Sequence, residues 1–233
     1  MSLIFFDFET TGCNMLGEKA EDKVIQFMFL DGDSMEFCSS FVNPERPISP
    51  KTIKLNGITS LDVETYKPFS SYLPDIIEFI GTEENVYLVA HNGDGFDKPI
   101  LLEEMRKNHF DIPENWFFID TLKLARKFLP ELSNHKMDTL RKHFNISTKY
   151  SHFATKDVCD LQIIYEKLVG DRNPEEVYQT CRNVSKIMSF GKHRGKHLSD
   201  IPSDYINYMT TNQIITPFKT PDLYAELKQL NRI

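Results

Sequence analysis

Residues 2–12 read SLIFFDFETTG, and no other segment limits the fold as tightly. Residues 2–8 form an apolar, aromatic-rich run suited to a central, buried strand. Asp7 and Glu9 stand at i and i+2 at its end. The two-residue period of a strand puts both carboxylates on the same face of the sheet. Like charges held side by side repel, and the cost is met either by a cation or by solvent at the strand end. The pair alone leaves both open.

A chain of 233 residues has room for one full-sized domain and a small appendage. Its net charge of −7 argues against a protein that coats nucleic acid non-specifically. An enzyme that grips a strand locally remains compatible with it, because bound divalent cations offset several carboxylates. The charge is uneven: residues 172–233 carry nine Lys/Arg against six Asp/Glu, which leaves −10 for the first 171. No stretch approaches the roughly 18–20 apolar residues of a membrane span. The N-terminus also lacks the basic region of a signal peptide. Cys13, Cys38, Cys159 and Cys181 show neither CxxC spacing nor an obvious pairing, so reduced thiols are expected and a zinc site is not. Together these features describe an intracellular protein, cytoplasmic or nuclear, that is neither secreted nor membrane-bound.

Strands are expected at 23–31, 34–42, 86–90 and 116–119, with Gly32-Asp33 as a hairpin turn between the first two. A short helix at 49–57 has Ser49 as N-cap, Pro50 at the first position and Gly57 as terminator. Helical spacing recurs at 69–80, where Pro74 limits the first turn, and at 98–107, 121–128 and 137–144. Residues 155–168 carry apolar positions at 158, 161, 164, 165 and 168, an amphipathic helix. Strands first and strand–helix alternation later indicate an α/β architecture with a mixed sheet. Residues 170–174 form a break, after which 172–187 reads as a linker helix and 188–233 as a small basic module.

Two further places carry acids with context. VAHNGDGFDKPIL, 89–101, delivers His91 and Asn92 from a strand, then a glycine-bearing turn, then Asp97 at a helix start. By itself Asp97 also fits a plain N-cap before Lys98 and Pro99. SHFATKDVCDL, 151–161, sets Asp157 in a helix's first turn with His152 on the loop before it. Alone, these equally describe an acid favoured by the helix dipole and an ordinary loop histidine. Asp94, in its Gly-flanked turn, suits solvent, Asp120 reads as a cap, and Asp160 is not expected as a ligand.

Taken in order, FDFETTG, then HN…FD, then H-x4-D resemble the three motifs of the DEDDh exonucleases within the ribonuclease H-like fold. KLNGIT (54–59), where many members read I-H-G-I-T, and IDTLKLARKFLP (119–130) extend the likeness over roughly residues 1–170. The second motif is closest to the HNG-x-x-[YF]-D-x-P-x-L of the three-prime repair exonucleases, since Asp97 follows His91 by six residues and not five.

The resemblance implies a mixed five-stranded ribonuclease H-like sheet flanked by helices over residues 1–171, with a small α+β appendage at 188–233. It also implies 3′→5′ hydrolysis of DNA, preferring single-stranded or frayed ends, with two Mg²⁺ or Mn²⁺ held by Asp7, Glu9, Asp97 and Asp157. Asp7 would bridge both ions, Glu9 and Asp157 would complete one site, and Asp97 would support the second directly or through water. Oxygen-only ligation suits such hard cations. His152 would be the general base. Thr10 and Thr11 would contact the terminal 3′-OH, Phe8 would pack beside its base or in the core, and Asn92 would brace the metal-site loop or touch substrate. A homodimer follows from the repair-exonuclease likeness, and a polymerase or replication partner from the proofreading one. An exoribonuclease of the same fold and a catalytically inactive nucleic-acid-binding protein are the alternatives.

FGKHRGK, 190–196, resembles a small F-G-K-x-x-G-K module appended to some exonucleases. It reads as a tight basic hairpin followed by a short helix from Ser203. Lys192, Arg194 and Lys196 there are either a grip on the phosphate backbone or a solvated basic turn.

Overall fold

The computed structural model describes residues 1–12, 22–147, 154–182, 188, 190–216 and 220–233. The chain forms two compact units, Met1–Tyr178 and Gln179–Ile233. In the first, β1 (Ser2–Thr10), β2 (Val24–Asp31), β3 (Phe37–Phe41), β4 (Val86–Ala90) and β5 (Trp116–Asp120) make one sheet in the order β3-β2-β1-β4-β5. The β1–β2 and β2–β3 pairs are antiparallel, and the β1–β4 and β4–β5 pairs are parallel. The expected mixed five-stranded sheet is therefore present, with the apolar opening run as its central strand.

The helices follow their local signals. In α1 (Pro50–Asn56) the Ser49 hydroxyl accepts from Thr52 N–H, and Gly57 closes the helix at φ 76, a left-handed conformation that costs glycine nothing. Next come α2 (Ser60–Val63) and α3 (Leu73–Ile80), the latter preceded by a 3₁₀ turn over Phe69–Tyr72. The expected single helix at 69–80 is thus split, because Pro74 has no N–H to continue a hydrogen-bonded turn. The chain continues through α4 (Asp97–Lys107), α5 (Thr121–Phe128), α6 (Met137–His143) and α7 (Ala154–Val169). The β2–β3 connection is longer than the two-residue turn expected at Gly32-Asp33: Asp31 N–H donates to Glu36 O, and Met35 takes the positive φ.

Alternation along β1 separates two environments. Ile4, Phe6 and Phe8 join Phe27, Phe29, Leu73, Ile76, Leu88 and Leu101 in the main core. Phe5 points the other way and meets Tyr165 of α7 edge-on at 5.4 Å. Helix α7 packs on β1 and β2, so the face bearing Phe5, Asp7 and Glu9 is the face α7 covers.

Helix α8 (Pro174–Arg182) crosses the division between the units. The division falls later than the break expected at 170–174, because Tyr178 packs on Tyr87 and Phe117 and the Tyr87 hydroxyl donates to Glu175. The second unit has its own core of Met188, Leu198, Ile201, Ile206, Met209, Ile215 and Leu227. Its helices are α9 (Ser203–Thr211) and α10 (Pro221–Gln229). The hairpin expected there is seen as Met188 N–H donating to Lys196 O and Gly195 N–H donating to Met188 O. No helix among the described residues is long and apolar enough to cross a membrane. Cys38, Cys159 and Cys181 are free thiols.

Candidate active site

Strand β1 carries Asp7 and Glu9 to its C-terminal end on the α7 side. Helix α7 runs along that face, so about two helical turns separate the Tyr165–Phe5 contact from Asp157. Four strand steps, from Phe5 to Glu9, cover a similar length on β1. The two periodicities meet in a cluster: ligand oxygens of Asp7, Glu9 and Asp157 lie within 4.8 Å of one another.

Asp97 completes the group from another direction. It is the first residue of α4 and is 1% exposed. It is not the side-chain N-cap its sequence context allowed, since Phe96 occupies that position and no cap bond forms. Its carboxylate instead accepts the Phe8 N–H at 3.1 Å. That N–H has no strand partner on this side, because the β1–β4 ladder ends at the Phe5–Val89 pair. Asp97 thus satisfies a buried donor and lies behind Asp7 and Glu9.

The electrostatics follow from this crowding. Burial, then the charges of Asp97, Glu9 and Asp157, push the Asp7 carboxyl well above the usual range, and Arg141 partly offsets them. Burial raises Asp97 to about 8, against which its backbone hydrogen bonds pull down. Acids gathered where Asp7 and Asp97 resist ionisation form a site that a cation would relieve. Among the described residues the donors that converge are carboxylate oxygens, a set that fits a hard divalent ion.

Two side chains that the sequence did not single out brace the cluster. Asn56, buried at the end of α1, donates from Nδ2 to Glu9 Oε2 at 3.1 Å, while its Oδ1 accepts Ile58 N–H. It is the Asn of KLNGIT, so its place in that motif was the available signal. Arg141 donates from Nη2 to Asp157 Oδ1 at 2.5 Å. Nothing in KMDTLRKHF distinguished it from its basic neighbours.

The other expected residues divide. Phe8 is a core side chain, 3% exposed and edge-on to Phe6, Phe29 and Phe69, so it cannot lie beside a base; its N–H is what reaches the site. Thr10 and Thr11 are buried, their hydroxyls donating to Gly12 O and to Asp22 Oδ1 within the protein. Asn92 is exposed at φ 62. Its N–H and that of Asp94 donate to Asp120, whose carboxylate also accepts Leu122 N–H. Asp120 is therefore both the cap read from sequence and the organiser of the HNGDGFD loop, and burial and the Asp94 charge raise it to about 6. Gly93 is required in that loop, since a Cβ there would lie 2.7 Å from Ala90 Cβ. His91, held by Thr121 at 2.9 Å and lowered by burial to about 4, is a neutral structural residue. Asp94 is not left to solvent but paired with Lys98 and Lys123. Asp160 is buried against Arg141 and Lys156, away from any ligand role. Lys192, Arg194 and Lys196 are exposed on the second unit. His152 lies outside the described residues.

Comparison with known proteins supplies the context. A family model described as Exonuclease matches residues 4–165. The DNA polymerase III PolC-type of Latilactobacillus sakei is 34% identical over 187 residues, which is 79% of this chain and 12% of the polymerase. The chain thus matches about an eighth of that relative's length. Among solved structures, E. coli Exonuclease I in complex with a dA16 oligonucleotide aligns with a TM-score of 0.63 at 21% identity, covering 78% of this chain and 44% of that one. The nuclease domain of 3'hExo, a DEDDh family member bound to rAMP, aligns at 0.59 with 19% identity, covering 73% and 92%. At these identities the two structures speak for the fold.

Proposed function

Since the chain belongs to the exonuclease family, as a DEDDh-type member with the ribonuclease H-like fold, we propose that it is a metal-dependent hydrolase that shortens DNA from the 3′ end, releasing nucleoside 5′-monophosphates. The observation that carries the reading is the convergence of Asp7, Glu9 and Asp157 within 4.8 Å, with the Asp7 carboxyl pushed well above its ordinary range.

Two Mg²⁺ or Mn²⁺ ions would be held by Asp7, Glu9 and Asp157, with Asp97 supporting the second. When bound, they polarise the scissile phosphate, activate a water and stabilise the leaving 3′-oxygen. The protein's own share is placement: Asp7 beside Glu9 and Asp157, Glu9 held by Asn56, and Asp97 anchored on the Phe8 N–H. His152 would take the proton of the attacking water. The backbone at Thr10 and Thr11, and Asn92 at the loop's edge, are the groups proposed to face the terminal nucleotide. Lys192, Arg194 and Lys196 would add a phosphate grip.

Single-stranded or frayed DNA ends are the proposed substrate, in keeping with the oligonucleotide bound to the Exonuclease I relative. RNA is the second reading, favoured by the rAMP bound to 3'hExo. The PolC-type relative supports a polymerase or replication partner inside the cell. The test is degradation of 5′-labelled single-stranded DNA and RNA with Mg²⁺ or Mn²⁺, beside Asp7→Ala. Metal-dependent shortening from the 3′ end that Asp7→Ala abolishes is expected. Full activity in Asp7→Ala, or no shortening at all, overturns the proposal.

A further inference from the structure

Helix α6 carries Arg141 beneath the first turns of α7, with its side chain 1% exposed. Each guanidinium nitrogen meets a different carboxylate: Nε donates to Asp160 at 2.7 Å, Nη1 to Asp138 at 2.9 Å, and Nη2 to Asp157 at 2.5 Å. Asp138 is half exposed, and Asp160 is buried and also takes Lys156. Of the three acids, Asp157 alone belongs to the converging cluster.

Burying a guanidinium costs several kcal/mol, and apolar side chains of similar volume commonly stabilise a helix pair as well. Linking α6 to α7 therefore does not account for this residue. What a planar fork supplies is direction: its donors leave in fixed, coplanar directions, so none can turn without the others losing their partners. Asp138 and Asp160 hold the fork, and the fork holds Asp157.

We propose that Arg141 is the positioning residue of the metal site: by retaining one oxygen of Asp157 it presents that carboxylate to a divalent cation at a fixed place, and it keeps Asp157 beside Asp7 and Glu9 before the cation arrives. Arg141 acts through Asp157 and touches neither substrate nor ion. The inference rests on the metal-dependent reading of the site. Lysine, a point charge on a flexible stem, cannot replace the fork.

The test reads cation affinity without substrate, by titrating Mn²⁺ and counting the unbound ion by electron paramagnetic resonance. If the unaltered protein binds no Mn²⁺, the metal-dependent reading itself fails. If it binds, Arg141→Lys is expected to weaken affinity about 10–100-fold, the usual cost of losing a group that orients a ligand. Arg141→Met combined with Asp160→Asn removes both charges of the most buried pair, and the charges that lose a partner, Asp138, Asp157 and Lys156, are the more exposed ones. That double variant is expected to melt near the unaltered protein and still show the deficit. Unaltered affinity in either variant overturns the proposal. A readout on the unaltered protein is independent of folding: the Arg141 Nη2–H resonance, the donor to Asp157, is expected to shift when Mg²⁺ is added. A signal that stays fixed while Mg²⁺ binds overturns it equally.

Discussion

The carboxylate of Asp97 accepts the backbone N–H of Phe8 at 3.1 Å, so the acid at the head of α4 is tied to the strand residue between Asp7 and Glu9. The bond couples an acid proposed for the metal site to the end of a β ladder, and the two roles separate under substitution. Asp97→Asn keeps an oxygen that can accept the Phe8 N–H and should fold normally. Asp97→Ala strands a buried donor, at a cost of about 1–3 kcal/mol. Both should lose at least about 100-fold in activity, more than a group that merely orients a ligand ordinarily costs. Urea melts beside nuclease assays check this; equal stability of the two variants would contradict the tie.

Asp7 sits where three acids oppose its ionisation. Asp7→Asn should therefore stabilise the metal-free protein by about 1 kcal/mol, a gain of about 2–4 °C for a chain of this size, while abolishing metal-dependent cleavage. Thermal melts in EDTA measure the first effect. A lower melting temperature than the unaltered protein's would mean that the acids are not crowded as described.

Burial lifts the Asp97 carboxyl from the ordinary 3.8 to about 8. The stability it lends by staying protonated is whole below the unfolded value and is lost as pH rises through about 8. In EDTA, the melting temperature should therefore fall between pH 7 and 9. His91 does not interfere in that window, since it is neutral there both folded, at about 4, and unfolded, near 6.5. With Mg²⁺ the trend should reverse, because the ion displaces protons and binds more tightly as they leave. Scanning fluorimetry at pH 7, 8 and 9 distinguishes the two slopes, and an EDTA series that rises with pH would refute the assignment.

Asn56 reaches Glu9 at 3.1 Å from the end of α1. Asn56→Ala should raise the Mg²⁺ concentration for half-maximal activity about 10–100-fold, with a smaller change at saturating metal. Activity titrated against Mg²⁺ gives the answer; a fall in kcat alone would assign Asn56 elsewhere.

If Lys192, Arg194 and Lys196 each contact a phosphate, neutralising all three should make the salt dependence of single-strand binding shallower by about 2 in log–log slope. Fluorescence anisotropy from 50 to 300 mM NaCl measures it. An identical slope would leave the three as a solvated turn.

The local rules were the legible ones. Ser49 and Gly57 bound α1 because a hydroxyl cap and a left-handed terminator act within one turn of chain. Asp7 and Glu9 share a face because alternation is a property of β1 alone. Phe8 could be read as a base contact or as core, and the packing of α3 and α4 on β1's even-numbered face decided it. Asn56 and Arg141 were out of reach for another reason: their partners lie 47 and 16 residues away, and no spacing within α1 or α6 encodes those meetings. Asp97 was half legible. Its helix-start position could be read, but its acceptor role depends on where the β4 ladder stops.

The order of the acids along the chain has a consequence for biosynthesis. Asp7 and Glu9 lie on β1, Asp97 heads α4, and Asp157 is on α7, so the acids leave the ribosome in that order. A nascent chain emerging from the ribosome holds an incomplete ligand set until residue 157 has cleared the exit tunnel and α7 has docked. A chain whose synthesis stops short of residue 157 therefore lacks one of the three converging carboxylates, and the cluster cannot form in it.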